Sequence, residues 1–582
     1  MAVIDRLRIS DRGEIESPIS VAIPATDLFS YITSAGTAIS RKSPQYFDAT
    51  APDVSYTLED AELMVKQFGC GLQKTMRLRK QDKVLLYSGN DLLFPIVVWG
   101  VTAAGGVFTG ASPSATVHEL EYQLRDSEAT TVITSLEGSK VAIEAARKAR
   151  LPLDRVLLLV APNVPDASRT DQGRPSPIRR WTDIWSSSEE ARLWTRDRIS
   201  SVEEAMTTTA VINYSSGTTG LPKGVELTHY NIIANAEQII AKRLLVEGTT
   251  AGRARRDRLD TSGERWLAAV PMYHAFGQSY FCVIAPRLGA KVFIMPKFDL
   301  RQYLTFVDIY RITFINVVPA MLAMLCKVEH PSRFNFKCIE SMTSGAARLD
   351  PATAQRFQQL YLHNGVLVKQ GWGMTETTSN LTGFALDDQD DGRSIGWLSP
   401  NCKARIVPVE KRQFDGGVVA EGRTLGELWV AGPNVMKGYW KREAETKDAF
   451  VIEGGQRWLR TGDIAYVDDR GCFYIVDRMK ELIKVNGFQV SPAELENGLM
   501  AHEGVVDAAV VAYKEQDREF PRAFVVRQSP AVTVEKLHAW TRERFARYKW
   551  FTGGIFFVDG IPRTASGKIV RRELPNPKVP KL

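Results

Sequence analysis

Tyr214 to Gly224 read YSSGTTGLPKG. These eleven residues hold four hydroxyl side chains (Ser215, Ser216, Thr218 and Thr219), three glycines (Gly217, Gly220 and Gly224) and one lysine, Lys223. Glycines and small residues let the backbone close until successive N–H groups face one concavity, which takes a phosphate oxygen. The lysine adds a point charge at the rim. The order is not that of a Walker A loop, where a second glycine followed by Lys and Ser/Thr stands five places after the first. Five places after Gly217 comes Pro222. A polar surface turn has a similar composition. The length of the string, and the ordered strings downstream of it, favour a phosphate loop.

Around this loop the chain alternates helical and strand patterns. Leu58 to Met76 has helical periodicity, and Leu92 to Ala104 reads as a buried helix. Short apolar strands are predicted at Lys83–Tyr87, Thr130–Thr134, Leu157–Val160, Ala210–Asn213, Trp266–Val270 and Lys291–Met295. Strands alternating with helices imply an α/β fold of mostly parallel sheets. Two segments read as insertions: Ala161 to Pro177, rich in Pro, Asp and Arg, and Glu247 to Glu264, rich in Gly, Thr and Arg. Within the second, Arg253 to Arg258 reads as a solvated loop. After about residue 400 the pattern turns to short strands such as Gly426–Ala431 and Gly471–Val476, a small β-rich subdomain at about 400–477. An alternating α+β segment follows. The predicted division is 1–477 for a large N-terminal domain and 478–582 for a small mobile domain, with a charged junction at Asp477-Arg-Met-Lys480.

At 582 residues the chain is too long for one core. Its composition, 44% hydrophobic and 24% charged, is that of a globular protein. The net charge of +7 is small for this length and shows no basic stripe with interleaved aromatics, so nucleic acid is not an expected partner. The six cysteines (Cys70, Cys282, Cys326, Cys338, Cys402 and Cys472) contain no CxxC pair, which speaks against a zinc site or a disulfide framework. No signal segment or membrane span is read, and an intracellular compartment is expected. The last residues, Pro580-Lys581-Leu582, differ from the Ser-Lys-Leu peroxisomal address in their first position. Peroxisomal import and a plain solvated tail are both kept open.

Three further strings carry chemistry. Gln370-Gly-Trp-Gly-Met-Thr-Glu376 sets an aromatic between two glycines and ends on a carboxylate suited to Mg²⁺, which takes one or two carboxylates plus phosphate oxygens. Arg460-Thr-Gly-Asp463 presents an acid after a glycine turn, able to hold paired hydroxyls by charge-assisted hydrogen bonds, and Asp477-Arg-Met-Lys-Glu-Leu-Ile-Lys484 follows it. Pro562 to Arg571 reads PRTASGKIVR, a lysine in a Ser/Gly turn.

Together with residues 214–224, these strings resemble, in order, the motifs of the adenylate-forming enzymes: acyl-CoA synthetases, firefly-type luciferases and adenylation domains. The resemblance covers residues 214 to 571 and is strongest to 4-coumarate:CoA ligase-like acyl-CoA ligases. It implies an ATP-dependent, AMP-forming acid:CoA ligase with ATP, Mg²⁺ and CoA as cofactors and a small carboxylic acid as substrate. The mild positive charge suits such polyanions. By resemblance, Ser215, Ser216, Gly217, Thr218, Thr219, Gly220 and Lys223 hold phosphates. Trp372, where tyrosine is usual, stacks on adenine in a site shared with Ala346, Gln370, Gly371, Gly373 and Met374. Thr375 meets the α-phosphate, Glu376 the metal, and Asp463 and Arg478 the ribose. Lys480 is the hinge, and Lys484 and Gln489 contact the adenylate. Lys568 bridges the attacking carboxylate and the α-phosphate, where negative charge builds during transfer.

The substrate end follows the same resemblance. Pro271-Met-Tyr-His274 with Ala-Phe276 matches a segment in which His274 gates the acid pocket, and Phe276, Tyr280, Thr343, Ser379 and Asn380 line it. No aspartate stands between Pro271 and Arg287 to hold an α-ammonium, so an amino-acid substrate is not expected. Lys297, Asn486 and Gly487 fall on the CoA side. Thr377-Thr-Ser-Asn380 replaces the Ala-Gly-Pro-Val type of plant 4-coumarate ligases, and Thr343 replaces a frequent lysine. Aryl, phenylpropenoid-like and fatty acids all stay open. So do an acyl-AMP ligase feeding a carrier protein, a luciferase-like oxidation and a catalytically silent binding protein.

Overall fold

The computed structural model describes residues 8–10, 13–34, 41–161, 178–215, 221–245, 250–363, 365–390, 392–408, 424–479, 481–485, 488–515, 518–545, 547–564, 567–575 and 577, with the backbone alone at 251, 260–262, 484, 488 and 489. Ser216 to Gly220, Lys480, Asn486, Gly487, the terminal Pro580-Lys581-Leu582 and nearly all of the first predicted insertion lie outside the described residues. So do the side chains of Lys484 and Gln489.

Two large sheets dominate the N-terminal part. The first has eight strands, with Lys83–Tyr87 and Val107–Ala111 at its centre and Thr209–Ser215 beside them. Thr209–Ser215 runs parallel to Val107–Ala111 and antiparallel to Lys223–Thr228, so the phosphate-loop string joins two hydrogen-bonded neighbours. The second has seven strands in the order Val368–Gln370, Ser341–Ser344, Phe314–Val317, Arg265–Ala268, Lys291–Ile294, Pro44–Asp48 and Ser55–Thr57. All its pairings are parallel except the last. Runs such as Lys83-Val-Leu-Leu-Tyr87 are apolar because parallel strands are covered on both faces. Helix Phe94–Ala103 is buried at every position. Its Trp99 Nε1 donates to the carbonyl of Cys282 at 2.7 Å, tying the two sheet layers together.

A third, antiparallel sheet combines Lys403–Pro408, Gly426–Ala431, Phe450–Glu453, Gln456–Val467 and Phe473–Arg478 with the N-terminal Arg8–Ile9 and Ile15–Glu16. The β-rich subdomain therefore recruits chain from the other end of the sequence. The small C-terminal part has its own apolar cluster, from Ile483 to Phe557, around the hairpin Val505–Glu515 and Arg518–Arg527. The fold is thus α/β, with a large N-terminal and a small C-terminal domain. Cys70, Cys282, Cys402 and Cys472 are buried, as expected of plain core residues. No helix among the described residues is long and apolar enough to cross a membrane.

One expectation is corrected. Arg253 to Arg258, expected as a solvated loop within the insertion Glu247–Glu264, lies in helix Thr250–Ser262. Its weak apolar periodicity hides it from pattern reading, because ion pairs anchor it instead. Arg255 is buried and pairs with Asp387 at 3.0 Å, and Arg258 meets both oxygens of Glu340 at 3.2 and 3.0 Å. Gly263, at φ +75°, follows the last turn in the left-handed conformation usual after a helix.

Candidate active site

The motif residues meet where strands of both large sheets end, the usual ligand crevice of open α/β sheets. Ser215 closes its strand in register with Lys223 across the hairpin. Its Oγ donates to Glu376 Oε1 at 3.2 Å. Tyr439 OH donates to the same oxygen at 3.0 Å. Lys223 Nζ lies 5.2 Å from the centroid of the Tyr439 ring. Glu376 is buried, and its other oxygen carries no hydrogen bond among the described residues. Burial and the neighbouring Glu376 charge hold the Tyr439 phenol well above its usual range, so it stays a donor. Sequence reading missed Tyr439. Its only signal is that Gly438–Tyr439 pairs with Lys223–Thr228, with partners 212 and 214 residues apart in the chain.

Asp463 is the second fixed carboxylate. Trp372 Nε1 donates to its Oδ2 at 2.9 Å, and Arg478 Nε donates to its Oδ1 at 3.0 Å. The Asp463–Arg478 pair is set by register, since the two residues face each other across antiparallel strands. Coulombic attraction to Asp463 is the main cause holding the guanidinium charged.

Lys568 arrives from the small domain. Its turn closes through Thr564 N to the Lys568 carbonyl at 2.8 Å and through Lys568 N to Thr564 Oγ1 at 3.1 Å. Gly567, at φ +83°, packs against Val318 and Ala320 of the large domain. Burial lowers the affinity of the Lys568 ammonium for its proton. Arg478 lowers it further, while Glu376 and Asp463 oppose both. The lysine therefore stands in the field of the two carboxylates. His274 begins the helical turn after Pro271-Met-Tyr, and burial, then Lys568, push its imidazole down to about 4. It is neutral at physiological pH.

The motif glycines serve the loop's own packing more than expected. A Cβ on Gly373 would lie 1.5 Å from the carbonyl oxygen of Ser379. Gln370 spends its amide on the protein, accepting from Leu349 N at 3.0 Å and donating to the carbonyl of Gly392 at 2.7 Å. Ala346 adopts φ +68°, and Met374 and Thr375 open the short helical turn that carries Glu376. Lys297 is exposed after its strand.

The residues expected to line an acid pocket come together. Phe276 and Tyr280 meet edge to face at 5.3 Å, and Asn380 Nδ2 donates to Tyr280 OH at 3.3 Å. Gly345 leaves room for the Phe276 ring. Tyr280 starts a π-helical turn, Tyr280–Ile284, which swings its ring to face Phe314. Ser379 Oγ donates to Asn380 Oδ1 at 3.2 Å. Tyr280, Thr343 and Asn380 line a cleft of about 1200 Å³.

Known proteins share this arrangement. Residues 39–440 match the AMP-binding enzyme family, and residues 494–568 match the AMP-binding enzyme C-terminal domain. The chain is 34% identical over 568 residues, 97% of its length and 99% of the relative's, to phenylacetyl-CoA ligase epaB of Aspergillus niger. It is 32% identical over 505 residues, 85% of its length and 84% of the relative's, to peroxisomal OPC-8:0-CoA ligase 1 of Arabidopsis thaliana. Its fold resembles the ATP-bound structure of MatB from Rhodopseudomonas palustris with a TM-score of 0.76 at 24% identity, over 94% of this chain and 97% of that one. The chain belongs to the AMP-binding enzyme family.

Proposed function

We propose that these groups run the two half-reactions of an ATP-dependent, AMP-forming acid:CoA ligase. In the first, the substrate carboxylate attacks the α-phosphorus of ATP, pyrophosphate leaves and an acyl-adenylate remains. In the second, the CoA thiol attacks the acyl carbon and AMP leaves. The observation that carries this reading is the convergence of Glu376, Asp463 and Lys568, from three separate segments, on one crevice.

Each group has a task its surroundings suit. Asp463, oriented by Trp372 and Arg478, accepts the ribose hydroxyls. The stems at Ser215 and Lys223 hold the phosphate loop. Lys568 stabilises charge on the equatorial α-phosphate oxygens as the carboxylate closes in, and Thr375 assists beside it. Neutral His274 shields the acyl end without competing for the carboxylate. Glu376 fits Mg²⁺, since a buried carboxylate with one oxygen uncommitted is a suitable ligand. Mg²⁺ takes one or two carboxylates and completes its shell with nucleotide phosphate oxygens and water. Bound there, Mg²⁺ would neutralise phosphate charge. The division at 477/478, with Lys480 as hinge, lets the small domain withdraw Lys568 before the thiol enters past Lys297 and residues 486–487. The anhydride is already activated, so the second step needs position and exclusion of water.

The test is pyrophosphate release from ATP across aryl, phenylpropenoic and fatty acids, with and without CoA. A responsive acid should yield AMP and a thioester. Lys568→Ala should slow pyrophosphate release roughly 10²–10³-fold with little change in KM for ATP. Release that needs no CoA and yields no thioester would move the acceptor to a carrier protein. An unchanged Lys568→Ala rate would remove the lysine from the mechanism. The relative with a peroxisomal name supports reading Pro580-Lys581-Leu582 as an import address.

A further inference from the structure

The cleft beyond the acid pocket runs the full height of the second sheet. Tyr280, Thr343, Asn380 and Gly371 line its inner end, where the strands Ser341–Ser344 and Val368–Gln370 finish. It continues to the opposite edge, where Arg265 begins its strand and Arg311 stands just ahead of Phe314–Val317. The strand Ser341–Ser344 alone covers about 10 Å at a rise of about 3.3 Å per residue. Drug-sized ligands fill roughly 300–1,000 Å³, and this cleft, at about 1200 Å³, is larger. A small aryl acid would occupy only its inner end.

Apolar and polar groups share the lining, and its charged residues are mostly positive. Eight Lys and Arg residues border the cleft against four Asp and Glu. Arg243, Arg255 and Arg258 are each matched by a carboxylate, from Glu264, Asp387 and Glu340. Arg311 and Lys337 are exposed at the outer mouth, and among the described residues neither has an ion-pair partner. Lys369 donates only to the carbonyls of Ala385 and Leu386, and burial pulls it down to about 8.

We propose that the acid activated here is elongated and carries a second anionic group, in the simplest case a carboxylate, at the end remote from the reacting carboxyl, held at the outer mouth by Arg311 and Lys337. The inference rests on the ligase reading above. A pure hydrocarbon tail would strip water from the cations at the outer mouth without replacing it.

The experiment compares kcat/KM for acid-dependent pyrophosphate release between monocarboxylic and α,ω-dicarboxylic acids of eight to sixteen carbons, with phenylacetate as a short reference. At the best length the diacid should exceed its monoacid partner at least tenfold. The double variant Arg311→Gln/Lys337→Gln should bring that ratio close to one through KM and leave phenylacetate unchanged. Both residues are exposed and remote from the reacting atoms, so the fold should hold. Monoacids equal to or better than diacids would overturn the inference, as would a preference that survives the double variant. Turnover of phenylacetate or monoacids with none of diacids would sink this inference alone. A folded protein silent with every acid would sink the ligase reading as well.

Discussion

At residue 372 a tryptophan stands where the resembled family usually has tyrosine, and the structure gives its extra ring a task. The half-buried indole packs against the core, and its N–H donates to Asp463 at 2.9 Å. Asp463 is almost fully buried, so its orientation depends on Trp372 and Arg478 rather than on water. Trp372→Phe keeps an aromatic face and removes the donor. Hydrogen bonds to charged groups are worth about 1.5–3 kcal/mol, and part of that should reappear as weaker ribose binding. KM for ATP is expected to rise roughly tenfold with kcat for pyrophosphate release nearly unchanged. Equal losses in kcat and kcat/KM would show instead that the indole acts only in the transition state. Six positions further round the same loop the backbone is strained. Thr378 holds φ +67°, an outlier for a β-branched residue, at a place where plant relatives carry glycine. Its Oγ1 donates to the carbonyl of Asn434 at 2.7 Å, which helps keep it there. The loop string 370–376 was therefore legible as a nucleotide motif. What fixes its shape was not, because Asp463 and Asn434 lie far along the chain.

The helix Val117–Ser127 shows the same limit one level up. Its amphipathic pattern predicts a surface helix and nothing about phosphate. In the fold it grips both stems of the phosphate loop. Tyr122 OH donates to the carbonyl of Pro222 at 2.8 Å, and Asp126 Oδ2 accepts from Tyr214 OH at 2.8 Å. Arg442 completes the clamp at 2.7 Å from the other Asp126 oxygen. Tyr122 and Asp126 are four apart, so one helix face presents both. Tyr122→Phe should cost about 1 kcal/mol of stability and raise KM for ATP several-fold, with KM for the acid unchanged. Thermal denaturation and the two KM values check this, and an equal rise in both KM values would refute a role confined to the phosphate loop. Six strands of the two large sheets, Lys83–Tyr87 among them, were legible because double-sided burial writes itself as apolar runs, whereas strands with polar residues, such as Ser341–Ser344, were not. Helix Thr250–Ser262 was not, because its stability comes from Asp387 and Glu340, side chains more than eighty residues away. Propensity and periodicity carry no record of such partners.

Asp477 stands at the proposed boundary between the large and the small domain. It belongs to the strand Phe473–Arg478 of the large domain, yet its Oδ2 accepts from Ser491 Oγ and from Ala493 N, at the start of helix Pro492–Met500 of the small domain. The carboxylate thus caps a helix across the junction, in the arrangement that also delivers Lys568. Burial is the main force on its proton affinity, and Glu481 and Glu496 add to it. Hydrogen bonds from Ser491 and Arg478 N offset only part, and the carboxyl is pushed up to about 6. The sign of the consequence follows from linkage. A carboxyl that binds its proton more tightly when folded favours the folded state at low pH. That advantage fades as pH rises from the unfolded value near 4 through about 6, by at most about 3 kcal/mol at 1.36 kcal/mol per unit. Asp477→Asn keeps the size and one acceptor oxygen but cannot ionise. Its melting temperature relative to wild type should therefore become more favourable between pH 5 and pH 8, while all other titrating groups cancel in the difference. A difference that stays flat over that interval would mean that Asp477 ionises at its ordinary value and that the cap is a charged one. A difference that falls with rising pH below about pH 4 would mean that the helix N-terminus stabilises the charged form more strongly than burial opposes it, and the junction would then be tightest at neutral pH rather than in acid.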